Sequence, residues 1–241
     1  MPTIRANDIT MYYEIHGEGE PVVLIAGLNS DHTLFRGILP QLATRYQVIV
    51  FDNRGVGQTD KPDIPYSIDM MADDTAGLLQ ALGITQANIL GLSMGGRIAA
   101  SLALRHPQQV TSLILASTVV KMKGIPMTWQ RRLSYLSLRI PMIRGSHPYY
   151  AAARQRDASR DFDCTDRLGE IHMPTLILHG KDDKLAPYSL AEEMHNGIKG
   201  SQMITFQGGH YVFVLRQREF VDAICEFLDS LQHPEDENKS I

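Results

Sequence analysis

Continuous apolar runs of strand length alternate with helix-length amphipathic stretches along most of this chain, and that pattern leaves few architectures open. The strand-like runs are "TMYYEIH" (10–16), "PVVLIAG" (21–27), "QVIVFD" (47–52), "NILGLS" (88–93), "QVTSLILAS" (109–117), "PTLILHG" (174–180) and "QMITFQG" (202–208). Most are apolar throughout rather than alternating, as expected of strands covered on both faces. Between them, 67–83 carries apolar residues at helical spacing and closes on Gly83 as a C-cap, and 94–106 is a helix stopped by Pro107. Further helices are expected near 188–198 and over 211–232. The expectation is an α/β fold with a mostly parallel, doubly wound sheet.

One segment breaks the alternation. Residues 119–168 carry no strand signal, and so long a stretch between consecutive strands is more than a plain loop. It reads as a short helical cap, with 1–118 and 169–241 as the core of a single structural domain. The cap is basic: within 119–160 stand Lys121, Lys123, Arg131, Arg132, Arg139, Arg144, Arg154, Arg156 and Arg160 against the single acid Asp157, whereas the whole chain has a net charge of −4. Two readings stay open, a solvated helix face and a surface that gathers an anionic substrate or partner. Nothing resembles a nucleic-acid module, and no run is long enough to cross a bilayer. Cys164 and Cys225 alone give no disulfide framework, and no secretory leader is evident, so the expected compartment is the cytoplasm. Oligomeric state is not visible.

The stretch "GLSMGG" (91–96) surrounds one hydroxyl with glycines. Gly91-Leu92-Ser93-Met94-Gly95 fits G-x-S-x-G between an expected strand and an expected helix, the setting of a nucleophile elbow. There a serine occupies a sharp turn in which side chains two residues either side would collide. A phosphate cradle at the helix start is the rival, but neither G-x-x-x-x-G-K-[ST] nor G-x-G-x-x-G is matched.

A serine hydroxyl needs a base. "LILHGKDDKLAP" (176–187) offers Asp182 and Asp183 just past a strand, and "QGGHYVF" (207–213) offers His210 in a glycine-flanked loop after the last one. His16, His106, His172, His179, His195 and His233 read as structural or solvated.

Together with "DNRGVGQTDKP" (52–62), these motifs resemble, in order and over nearly the whole chain, those of the α/β-hydrolase superfamily, with small carboxylesterases and 3-oxoadipate enol-lactonase-like hydrolases among the similar members. The resemblance implies a Ser93–His210–Asp183 triad, Asp183 being selected because the family's acid usually falls three residues after the glycine, here Gly180. It also implies an oxyanion hole made by the backbone N–H groups of Met94 and Leu28. Here Ala26-Gly27 replaces the family's common His-Gly pair, which puts the packing of that loop in question. The implied activity is hydrolysis of a carboxylic ester or lactone through an acyl-enzyme, with no metal or organic cofactor. Trp129, Leu133 and Leu136 are expected to line the acyl pocket. The expected partner is a small-molecule ester or lactone, with an acidic carrier protein at the basic cap as an alternative. Carbon–carbon bond hydrolases, haloperoxidase-like enzymes and non-enzymatic ligand receptors share these motifs and remain open.

Overall fold

A computed structural model of the protein describes residues 2–122, 132, 133, 136 and 147–232. Its strands are β1 (Thr3–Ala6), β2 (Ile9–His16), β3 (Pro21–Ile25), β4 (Gln47–Phe51), β5 (Ala87–Leu92), β6 (Val110–Ala116), β7 (Thr175–Gly180) and β8 (Gln202–Phe206). They form one sheet in the order β1-β2-β4-β3-β5-β6-β7-β8. From β4 across to β8 every pairing is parallel, and only the β1–β2 and β2–β4 pairings at one edge are antiparallel, so β2 alone is reversed. The doubly wound, mostly parallel sheet expected from the sequence is therefore present. Strand β1 lies outside the sequence expectations, because the polar–apolar alternation of "TIRA" runs for only four residues.

The helices are α1 (Leu39–Leu42), α2 (Ile68–Ala81), α3 (Met94–Arg105), α4 (Tyr149–Asp161), α5 (Tyr188–Gly197), α6 (Val212–Leu215) and α7 (Gln217–Gln232). Ser67 caps α2 by accepting the Met70 N–H at 3.0 Å. Gly83, at φ +73°, ends it in a Schellman motif, with Ile84 N–H on Leu79 C=O and Gly83 N–H on Gln80 C=O. The single helix expected over 211–232 is split. Arg216 turns out of helical geometry at φ −121° and ψ 38°, and the Gln217 side chain crosses to the Gly37 carbonyl.

Successive residues of the central strands feed two cores. Val23, Ile25, Ile89, Leu113 and Leu115 pack on the face covered by α2 and α3, while Val22, Leu24, Leu90 and Ile114 face Phe35 and α7 on the other side. Each such side chain contributes roughly 1.5–3 kcal/mol by leaving water.

Strand order runs one way from β3 to β4 and the other from β3 to β5, so the crevice beyond the carboxyl ends of β3 and β5 is a switch point, where open α/β sheets bind ligands. The chain leaves and re-enters the core close by. Lys121 pairs antiparallel with Asp163, and the Met122 and Cys164 N–H groups bond the Phe162 and Val120 carbonyls. The two ends of the 119–168 segment thus meet beside the end of β6; within it residues 119–122, 132, 133, 136 and 147–168 are described.

Candidate active site

Ser93 lies between β5 and α3 with φ 56° and ψ −116°, outside the conformations ordinary side chains prefer. The glycines around it exist for close approach. A Cβ on Gly91 would stand 2.3 Å from the Gly95 carbonyl oxygen, and one on Gly95 would stand 2.0 Å from that of Ile25. One on Gly96 would meet the Thr118 side chain at 2.4 Å. The turn is held from below by Ser93 N–H on Ala116 C=O at 2.9 Å, and by the Thr118 hydroxyl, which donates to Ser93 C=O at 2.6 Å. Thr118 was missed in the sequence; it follows β6 and no local motif marks it.

The acid and histidine loops meet this serine from β7 and β8. His210 Nε2 lies 3.0 Å from Ser93 Oγ, and His210 Nδ1 lies 2.7 Å from Asp183 Oδ2. Because a carboxylate only accepts, Nδ1 carries the proton and Nε2 turns its lone pair toward the serine hydroxyl. The Leu185 and Ala186 N–H groups bond the other oxygen, Asp183 Oδ1, at 2.8 and 2.9 Å. Asp183 is buried while Asp182 is exposed, so only Asp183 reaches the histidine. A Cβ on Gly180 would stand 2.4 Å from the Gly209 carbonyl oxygen, which lets the two loops touch, and Asp182 N–H bonds Gly208 C=O. His179, read from sequence as structural, is buried beneath this pair. Its Nε2 donates to Ala186 C=O at 2.9 Å, and burial lowers its pKa, favouring the neutral ring.

The loop after β3 brings Leu28 to the same crevice. Gly27 abuts the serine closely, since a Cβ there would stand 3.3 Å from Ser93 Cβ and 3.8 Å from its Oγ. No described residue accepts the Leu28 or Met94 N–H. In place of a histidine, side chains from elsewhere hold this loop. Asn53 Nδ2 donates to Ala26 C=O at 3.1 Å, and Asp52 Oδ1 accepts both the His32 N–H and its ring Nδ1. The stretch "DNRGVGQTDKP" (52–62) therefore has a structural role of its own. A Cβ on Gly57 would stand 1.9 Å from Asp52 Oδ2, and the buried Arg54 guanidinium forks onto Asp74 at 2.7 and 2.6 Å.

Asp31, His32 and Asp52 could bring three ligand atoms within 4.8 Å of one another. Asp52 is already bonded to His32, and Asp31 caps the turn that follows, so this trio is explained without a metal. Of the expected pocket residues, Leu133 and Leu136 are about half exposed rather than packed in the core, and Trp129 lies outside the described residues. Within α4 the basic residues are balanced: Arg154 lies 3.4 Å from Asp63, Arg156 pairs with Asp157, and Arg160 with Asp161. Lys123, Arg131, Arg139 and Arg144 lie outside the described residues.

Among the described residues no helix is long and apolar enough to cross a membrane. Residues 20–160 match the family model of the alpha/beta hydrolase fold, and residues 151–240 match the model described as TAP-like protein. The chain is 29% identical to a putative carbamate hydrolase of Azorhizobium caulinodans, over 88% of this chain and 92% of that one. It superposes on the enol-lactonase of Burkholderia xenovorans with a TM-score of 0.86 at 25% identity, covering 95% of this chain and 100% of that one. An esterase of Exiguobacterium antarcticum gives a TM-score of 0.85 at 28% identity, covering 95% and 99%. By the extent of the family match, this chain belongs to the alpha/beta-hydrolase fold family.

Proposed function

We propose that this protein is a serine hydrolase that cleaves a carboxylic ester or lactone through an acyl-enzyme on Ser93. The observation that carries the reading is the unbroken line from Ser93 Oγ to His210 Nε2 at 3.0 Å and from His210 Nδ1 to Asp183 Oδ2 at 2.7 Å. Ser93 attacks the acyl carbon while His210 takes its proton, and Asp183 orients the ring and stabilises the imidazolium. The Leu28 and Met94 N–H groups receive the oxyanion. His210 then protonates the leaving alcohol, and a water activated at the same nitrogen releases the acid.

The similar proteins named as a putative carbamate hydrolase, an enol-lactonase and an esterase carry names that refer to carbamate, lactone and ester substrates, which supports this choice. We read residues 119–168 as a cap over the crevice and the substrate as a small neutral or weakly anionic ester. The pairing of Arg154, Arg156 and Arg160 with carboxylates weighs against a docking face for an acidic carrier on α4. Two buried free thiols, Cys164 and Cys225, suit a reducing compartment such as the cytoplasm. A panel of short-chain p-nitrophenyl esters and γ-lactones, assayed beside Ser93→Ala, tests the reading. Hydrolysis abolished in the variant supports it, and equal rates for both proteins would overturn it.

A further inference from the structure

Resting on that reading, a second question is what aims the Leu28 N–H, since the loop lacks the histidine common in the family. Residues 27–30 form a turn closed by Ser30 N–H on Gly27 C=O at 3.2 Å. Asn29, its third residue, sits at φ +57°, while Leu28 is not left-handed, so the turn is of type II. In a type I turn the central Leu28–Asn29 peptide faces the opposite way. Type II places a non-glycine residue at positive φ, and asparagine tolerates this without preferring it. The orientation therefore needs a partner.

That partner comes from far along the chain. Gln155, on α4, has a wholly buried side chain. Its Oε1 accepts the Asn29 N–H at 2.9 Å, and this is the N–H of the central peptide. Its Nε2 donates to the Arg54 carbonyl at 2.7 Å, and the Arg54 side chain is itself anchored to Asp74 and Asp8. The amide orientation is not arbitrary, because a backbone N–H only donates and a carbonyl only accepts. A parallel bridge comes from His147: the Gly57 N–H donates to its Nδ1 at 3.1 Å, and its ring also bonds the Asn29 backbone.

We propose that Gln155 is a positioning residue for the oxyanion hole: by accepting the Asn29 N–H it keeps the 27–30 turn in the orientation that aims the Leu28 N–H at the reacting carbonyl. The hole is then complete only while α4 is docked. A flipped central peptide would turn the Leu28 carbonyl against Gln155 and draw the Gly27–Leu28 peptide with it. Gly27 lies so close to Ser93 that such a shift reaches the reacting atoms.

The test is steady-state hydrolysis of p-nitrophenyl acetate by the full chain, with thermal melting of each variant alongside. Gln155→Met keeps the length and loses both hydrogen bonds. Its kcat is expected to fall on the order of 10–100-fold, with KM changed less than about threefold, as for a misplaced oxyanion donor. Asn29→Gly makes the type II turn intrinsically favourable, so adding it to Gln155→Met should return kcat to within about threefold of Asn29→Gly alone. A merely structural glutamine gives no such recovery. Should Gln155→Met not fold, Gln155→Glu retains an acceptor for the Asn29 N–H and should lose less than tenfold in kcat. Loss of kcat with no recovery by Asn29→Gly, Gln155→Met activity within twofold of wild type, or a folded Gln155→Glu with a hundredfold loss would each overturn the assignment. Wild-type protein without Ser93-dependent hydrolysis would instead overturn the hydrolase reading itself.

Discussion

The two walls of the crevice are built on different principles. The elbow wall, from Gly91 to Gly96, is made by backbone against backbone: glycines let β5, α3 and the end of β3 approach to distances no side chain allows. The opposite wall, from Ala26 to Asp31, is made by side chains reaching in from other parts of the chain, among them Asn53, Asp52 and Gln155. The glycines of the first lie within six residues of sequence, whereas the groups that hold the second come from as far as 126 positions away. A local device is rigid by sterics. A distributed one is set by which elements are docked, and so can be changed one partner at a time.

The largest effects should fall on the elbow wall and the groups it faces. Ser93→Ala should lower kcat by the order of 10⁶ in an ester assay, with an unchanged melting temperature within a few degrees. Asp183→Asn should cost roughly 10⁴, by removing the acceptor that fixes the His210 ring, whereas the exposed Asp182→Asn should stay within about threefold. The reverse order would place the acid on the wrong aspartate. Gly95→Ala tests the steric half of the comparison. Its Cβ would meet the Ile25 carbonyl at 2.0 Å, so we expect a loss of about 3 kcal/mol or more, roughly 6–12 °C in Tm. Gly169→Ala, where nothing stands within 4 Å, should change stability by less than about 0.5 kcal/mol. Equal melting of the two variants would show that glycine crowding is not what shapes the elbow.

The smallest effect concerns pH and the opposite wall. Burial, followed by the nearby Lys61, lowers the His147 pKa below the ordinary histidine value of 6.5, despite Asp31 and Asp52. The unfolded chain therefore takes up this proton first as pH falls. Its contribution to stability is complete above about pH 6.5 and declines from there toward the lowered folded value. The buried His179 is shifted the same way and adds to the same limb. His147→Gln should flatten part of the Tm loss between pH 7 and 5, and a profile parallel to wild type would count against the bridge.

This division also explains what could be read in advance. The parallel strands were legible because burial on both faces makes their residues apolar in unbroken runs, as in β5 and β7. Ser93 and His210 stand out as candidates because each sits at a strand end in a loop whose glycines record close contact, whereas Asp183 is preferred to its neighbour Asp182 only through the family resemblance. Edge strand β1 left no such record, and the break at Arg216 stands beside the Gln217 contact with Gly37, which no helical pattern contains. Gln155 reads locally as one more polar residue in "YYAAARQRD", and only the tertiary fold shows that both ends of its amide are used. Thr118 is the same case on a smaller scale, a β6-end residue whose hydroxyl serves a serine 25 positions earlier.

The most direct measurement is intact-mass and peptide analysis after treatment with a fluorophosphonate. The account predicts one adduct on Ser93, absent in Ser93→Ala and lost in His210→Ala, because only the histidine makes that hydroxyl nucleophilic. Folded wild-type protein that takes up no label, or takes it up elsewhere, would contradict the claim that these glycines exist to present an activated serine.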